Sequence, residues 1–158
     1  MNDFPFVKIQ QDDFDLTTEV AHLRHGQKNI GAVVTFVGTV RDINEDDEVS
    51  ILELEHYPVM TEKALEKIRL EAHERWELET SLIIHRVGKL YPTDQIVLVA
   101  VASKHRENAF YACHFIMDYL KTNAPFWKKE TLPNGDQRWL DARVSDQDAE
   151  KKWDQNGV

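Results

Sequence analysis

Only one cysteine, Cys113, occurs in 158 residues, so no internal disulfide can form and a reducing cytoplasm is the expected compartment. No apolar run approaches the ~20 residues that a membrane span needs. The opening residues, MNDFPFVKIQQDDFD, lack the basic stretch and apolar core of a secretory signal. There is no Gly/Ser linker, internal repeat or low-complexity tract, so a single domain over 1–158 is expected, a size that buries roughly 70% of its unfolded-chain surface. Positive charge is in deficit: 19 Lys and Arg against 28 Asp and Glu give a formal net charge of -9. That argues against a general nucleic-acid binder, because neutralising phosphates takes a basic field. Walker loops, G-x-G-x-x-G and G-x-S-x-G are missing, as is any Cys/His spacing for a metal. No cofactor or metal is therefore expected.

The elements that can be read are mixed. A short strand is predicted at 6–10 and a helix at 15–25. GAVVTFVGTV, residues 31–40, is β-branched and apolar on both faces, which predicts a buried strand. The acidic stretch 41–50 reads as a mobile loop and ILELE, 51–55, as a strand. In the helix that follows, Thr61 is the expected N-cap, and Leu65, Ile68, Ala72 and Trp76 form the apolar stripe. A strand through LIIHR, a break at Gly88 and a turn at 92–94 lead into a long strand over 95–103. Its residues are apolar on both faces, as a central strand requires. A second helix is predicted at 108–121, with Ala109, Cys113, Ile116 and Leu120 on its stripe, and Pro125 forbids its continuation. KKETLPNGDQRWLDAR reads as a hairpin around Asn134-Gly135, and a polar helix over 145–153 closes the chain. Without a strict βαβ alternation the class is α+β.

Against the acidic total, cations gather at the ends of these elements. GTVRD delivers Arg41, SKHRENAF delivers Lys104, His105 and Arg106, and KTNAPFWKKE holds Lys121, Lys128 and Lys129 around Phe126 and Trp127. Arg41 and Arg106 offer planar forks suited to phosphate, and the helix start after Arg106 adds backbone N–H donors. Phe126 and Trp127 can wall a flat heterocycle or belong to the core. Lysine at its ordinary pKa of about 10.4 is a poor base, and crowding by other cations or burial lowers that value. One of the three lysines could then exchange protons while another steadies an oxyanion. Each residue also has a plainer reading. Lys121 can answer a helix dipole, Lys128 and Lys129 can be solvated surface, and His105 can be a loop residue. Cys113 lies on an apolar stripe and reads as core, not as a nucleophile. The residues by themselves reach a small anionic substrate with proton-transfer chemistry, and no further.

At these same residues the chain resembles the large, catalytic subunit of molybdopterin synthase. The likeness runs over about 31–153 through GAVVTFVGTVRD, LELEHYPVMTEKAL, IIHRVGKLYPTDQIVLVAVASKHRENAF, FIMDYLKTNAPFWKKE and GDQRWLDAR, while 1–30 and the acidic loop match less well. The resemblance implies an α/β hammerhead-type fold with a mixed, largely antiparallel sheet. It implies a homodimer in which each protomer binds one small ubiquitin-like sulfur-carrier subunit, giving a heterotetramer. Sulfur would pass from the carrier's C-terminal thiocarboxylate to cyclic pyranopterin monophosphate (precursor Z), making the dithiolene of molybdopterin. The same resemblance implies catalytic roles for Lys121 and Lys128, with Lys121 nearest the chemistry. It implies substrate binding by Thr39, Val40, Arg41, His105, Arg106, Lys129 and Glu130. Lys129 stands where arginine is also expected in relatives, which keeps the charge and loses a bidentate fork. Sulfur brought on a partner's tail would account for sulfur chemistry without a usable cysteine. The alternatives are a module that binds a ubiquitin-like tail or pterin phosphate without turnover, and a hydrolase or phosphotransferase of small phosphate esters.

Overall fold

The computed structural model describes residues 5–44, 47–48, 50–140 and 153. In chain order the elements are β1 (Val7–Gln10), α1 (Leu16–Arg24), β2 (Ala32–Thr39), β3 (Ile43–Asn44), β4 (Asp47–Glu48), β5 (Ile51–His56), α2 (Met60–Arg75), β6 (Thr80–Arg86), β7 (Gly88–Leu90), β8 (Gln95–Ser103), α3 (Arg106–Asn123), β9 (Phe126–Thr131) and β10 (Gln137–Leu140). Two four-stranded sheets form, in the orders β1-β6-β8-β2 and β10-β9-β5-β7, and β3 pairs with β4 apart from them. Only β1 with β6 is parallel among the described pairings. The mixed, largely antiparallel α+β arrangement is therefore present, divided between two sheets.

The apolar pattern of β8 explains its central place. Val97, Val99 and Val101 face α2 and α3, where they meet Leu65, Ile68, Ala72, Phe115 and Ile116. Leu98, Ala100 and Ala102 face the opposite side, against Phe14 and Leu23 of the α1 region. Each large side chain buried this way contributes about 1.5–3 kcal/mol. Trp153 closes the first core edge-on to Trp76 and Phe115, and its indole N–H donates to the Asp118 carboxylate at 2.6 Å. The rest of the helix expected at 145–153 lies outside the described residues. No described helix is long and apolar enough to cross a membrane.

Three local expectations change. The run 31–40 is apolar on both faces, yet β2 lies at the edge of its sheet and Phe36 is 40% exposed. Composition alone does not say whether a strand has a neighbour on one side or two. Residues 41–50 are not simply loop, because Ile43 pairs with Glu48 and Asn44 with Asp47. Thr61 is not the N-cap of α2. Val59 holds that position, at φ 73 and without a side-chain cap, while Thr61 is fully buried in the first turn. Its hydroxyl accepts the Tyr57 N–H and donates to the Pro125 carbonyl, both at 3.0 Å. A tertiary partner has claimed the side chain that local preference assigned to a cap.

The start of β2 is held close to the end of β8. The Gly31 N–H donates to the Ser103 carbonyl at 3.0 Å, and a Cβ on Gly31 would overlap the Lys104 carbonyl oxygen. Gly31→Ala must displace one of these backbones and is expected to cost about 1–3 kcal/mol, read as a lower Tm. An unchanged Tm would mean that the segment before Arg106 yields freely.

Candidate functional site

The last turn of α3 and the first half of β9 form the centre of the candidate site. Lys121 is exposed on that last turn, and Lys128 is half-buried on β9. Between them the chain bends sharply at Pro125, where the Phe126 N–H donates to the Ala124 carbonyl at 2.9 Å. The Phe126 ring stacks on His85, with ring centres 3.9 Å apart and planes at 19°. His85 is buried near the end of β6, and its Nδ1 lies 2.8 Å from the Arg86 carbonyl oxygen. A carbonyl only accepts, so Nδ1 carries the proton and Nε2 the lone pair.

The electrostatics of His85 show what surrounds it. Desolvation by burial brings its pKa down to about 3, and Lys128, Lys121 and His56 push the same way, outweighing the hydrogen bond to Arg86. Both lysines and His56 are therefore within electrostatic reach of one buried ring. His56 ends β5, pairs with Phe126 in register, and lies 3.8 Å from the Glu62 carboxylate. The two lysines thus lie near a stacked aromatic pair, an arrangement able to hold an anion and to place an ammonium group beside it.

Arg41 lies at this same end of the molecule. Across the first sheet His85 pairs with Val97 and Val97 with Gly38, so two strand spacings, roughly 10 Å, separate β6 from β2 here. Thr39 is exposed, while Val40 is buried against Leu54 and Leu90, and Leu54 pairs with Lys128. The Val40 N–H donates to the Asp94 carbonyl and its own carbonyl accepts the Thr93 N–H, both at 2.9 Å. These bonds fix the exit of β2 against a turn in which Thr93 takes φ 80. Val40, Arg41, Asp42, Pro92 and Thr93 line a shallow groove of about 420 Å³.

His105 and Arg106 are elsewhere in the same chain. His105 is the N-cap residue of α3 and Arg106 its first residue, both exposed. Lys121 is fifteen residues further along that helix, about 22 Å at 1.5 Å per residue. The nearby Lys104 ammonium is 3.5 Å from the Glu77 carboxylate. One protomer thus carries two separate cationic ends, Arg41 with Lys121 and Lys128 at one, and Lys104, His105 and Arg106 at the other. The cations that the sequence gathers at the ends of elements therefore do not all meet within one chain.

Strand alternation divides the rest of β9. Lys129 points away from Lys128, with its ammonium 3.4 Å from Glu53 and 5.5 Å from the centre of the Trp139 ring. Glu130 is on the Lys128 face but only 1% exposed, with Arg138 at 3.4 Å. Cys113 is buried against the core, which pushes its thiol pKa up to about 12. A thiol so held is neutral and unreactive at neutral pH. Among the described residues no group of three His, Cys, Asp or Glu is placed to hold a metal ion.

Sequence reasoning missed His85 and the second role of Thr61. The signal for His85 was available: a polar ring closing the apolar run LIIH of a strand that reads as buried has to find a partner. Nothing in the sequence marks Thr61, because its partner is sixty-four residues away.

The family model described as MoaE protein matches residues 9–123. The molybdopterin synthase catalytic subunit of Ralstonia nicotianae is 61% identical over 149 residues, covering 94% of this chain and 84% of its own. The molybdopterin biosynthesis MoaE protein from Burkholderia ambifaria superposes with a TM-score of 0.82 at 56% identity, covering 96% of this chain and 99% of its own. A protein–protein complex of subunits 1 and 2 of molybdopterin-converting factor from Helicobacter pylori also contains the fold, with a TM-score of 0.70 at 26% identity, over 88% of this chain and 92% of its own. The chain belongs to the MoaE protein family, whose members include molybdopterin synthase catalytic subunits.

Proposed function

We propose that this chain is the sulfur-transferring subunit of a molybdopterin synthase. It takes sulfur from the C-terminal thiocarboxylate of a small ubiquitin-like carrier and adds it to precursor Z. Two sulfurs enter each product, and each spent carrier tail ends as a carboxylate. The observation that carries this reading is that Lys121, in the last turn of α3, and Lys128, on β9, flank the bend at Pro125 and the Phe126 ring stacked on His85. Lys121 exchanges protons with the reacting pterin, and Lys128 holds the thiocarboxylate and the charge that develops on it. The sulfur comes from outside, in keeping with a thiol as unreactive as Cys113. The compartment we assign is the cytoplasm, where such a lone thiol stays reduced.

The second cationic end completes the site from a second copy. In a two-fold homodimer, His105 and Arg106 of one protomer meet Arg41, Lys121 and Lys128 of the other and hold the phosphate. Lys129 and Glu130 then serve by fixing β9, through Glu53 and Arg138, more than by touching substrate. Mixing two inactive variants, Arg106→Ala and Lys121→Ala, tests this arrangement. A mixed dimer has one site with every group intact, so about a quarter of all sites should regain activity after random exchange. No regain would place the whole site in one chain and overturn the shared arrangement.

The reaction itself is tested by mixing the chain with thiocarboxylated carrier and precursor Z and measuring dithiolene product. Binding of both without product would identify a docking module. Release of phosphate without incorporation of sulfur would identify a hydrolase.

A further inference from the structure

The bend between Lys121 and Lys128 is held from outside both elements that carry them. On one side the Thr61 hydroxyl donates to the Pro125 carbonyl at 3.0 Å while accepting the Tyr57 N–H at 3.0 Å. On the other the His85 ring stacks on Phe126, the next residue. The bend between them is closed by its own Phe126 N–H to Ala124 carbonyl bond. The Thr61 hydroxyl is fully buried, so each of its two bonds replaces one that water would have made.

The strain beside Thr61 points the same way. Val59 adopts φ 73, a conformation that a β-branched side chain avoids at a cost of order 1–3 kcal/mol. Three bonds hold it there: the Thr61 N–H to the Tyr57 carbonyl, the Lys63 N–H to the Val59 carbonyl, and the Tyr57 N–H to the Thr61 hydroxyl. An unstrained N-cap with a serine or aspartate would start the helix at lower cost. What the strained turn achieves is to aim the Thr61 hydroxyl across at Pro125. From there the chain runs four residues back to Lys121 and three forward to Lys128. Those two lysines have no covalent constraint on their separation except this bend.

The geometry points to Thr61 and His85 as positioning residues that clamp the bend at 124–126 and so set the placement of the Lys121 and Lys128 ammonium groups relative to one another. Neither touches the reacting atoms. Thr61 fixes the backbone at Pro125, and His85 fixes the plane of Phe126 and with it the entry into β9. The inference rests on the reading of Lys121 and Lys128 as the reacting pair.

The test uses the assembled complex with thiocarboxylated carrier and precursor Z. Thr61→Val keeps the shape of the side chain and removes both hydroxyl bonds, the one from Tyr57 and the one to Pro125. It is expected to lower kcat about 10- to 100-fold, the effect of a displacement near 1 Å in a reacting group. KM for precursor Z should stay within about twofold, since His105 and Arg106, which hold its phosphate, lie at the other end of α3. Thr61→Ser keeps the hydroxyl and should restore kcat to within about threefold of the parent. Thr61→Ala serves as the second hydroxyl-free variant if the valine form does not fold, with the same expected split. A purely structural role would lower the folded fraction and Tm, leaving kcat per folded molecule unchanged for all three variants. That result, with Lys121→Ala inactive, would overturn the clamp. If Lys121→Ala itself turns over normally, the reading of the lysines fails first, and the clamp goes with it.

Discussion

Lys121→Ala is expected to lower turnover by about 10²- to 10⁴-fold, the range lost with a general acid or base, while leaving the fold nearly untouched. Two readings of this lysine make different forecasts. As a residue in the last turn of α3 it answers the helix dipole, and its removal would then cost about 0.3–1 kcal/mol of stability and no activity. As a proton-exchanging group it would cost activity and almost no stability, because the buried residues around it, Met117, Tyr119 and Leu120, carry the contacts of that turn. Lys121→Arg separates charge from proton exchange. Arginine keeps the positive charge and the dipole interaction but cannot give up its proton. The arginine variant should therefore bind precursor Z and remain slow. Parental kcat in Lys121→Arg would reduce the role to electrostatics, and parental kcat in Lys121→Ala would remove Lys121 from the chemistry.

The parts of this molecule legible in its sequence are those set by local pattern. The two-faced apolar run of β8 marked a strand covered on both faces, and the Asn134-Gly135 pair marked the hairpin, with Gly135 at φ 90 where only glycine is at ease. The cationic ends were legible as residues but not as a place. Which of them meet depends on the register of β2 against β8, where Ala32 pairs with Ser103 and Thr39 with Gln95. That antiparallel register sends Arg41 to one end of the sheet and Arg106 to the other. Thr61 shows the same limit at the scale of one side chain. A threonine at the start of an apolar helical stripe reads as a cap, and only the fold brings Pro125 within reach of its hydroxyl. Long-range pairing decides the site, and a single sequence does not state it.

Acid should destabilise the fold well before its carboxylates are neutralised, and His85 should carry much of that loss. An unfolded histidine titrates near 6.5, while burial holds the folded ring to about 3. Between those values the unfolded chain binds a proton that the native chain refuses, so stability falls as pH falls through that window and is fully present above it. The full difference is on the order of 5 kcal/mol, close to 1.4 kcal/mol for each pH unit. His73 adds to the loss in the same direction, its pKa lowered by desolvation and by Arg69 against the pull of Glu66. Asp13, held below the usual carboxylate range chiefly by its hydrogen bond from Gln95, contributes only further down, near and below pH 4. The check is chemical denaturation at a series of pH values from 7.5 to about 4 for the parent and for His85→Gln. The variant should begin less stable at neutral pH, having lost the ring stacked on Phe126, yet descend more gently, by roughly 1 kcal/mol less per pH unit below 6. Lys121, Lys128 and His56, around the ring, all oppose its protonation, so their removal should soften the same slope more weakly. Parallel acid limbs for parent and His85→Gln would mean that the imidazole reaches water and that its burial does not hold in solution.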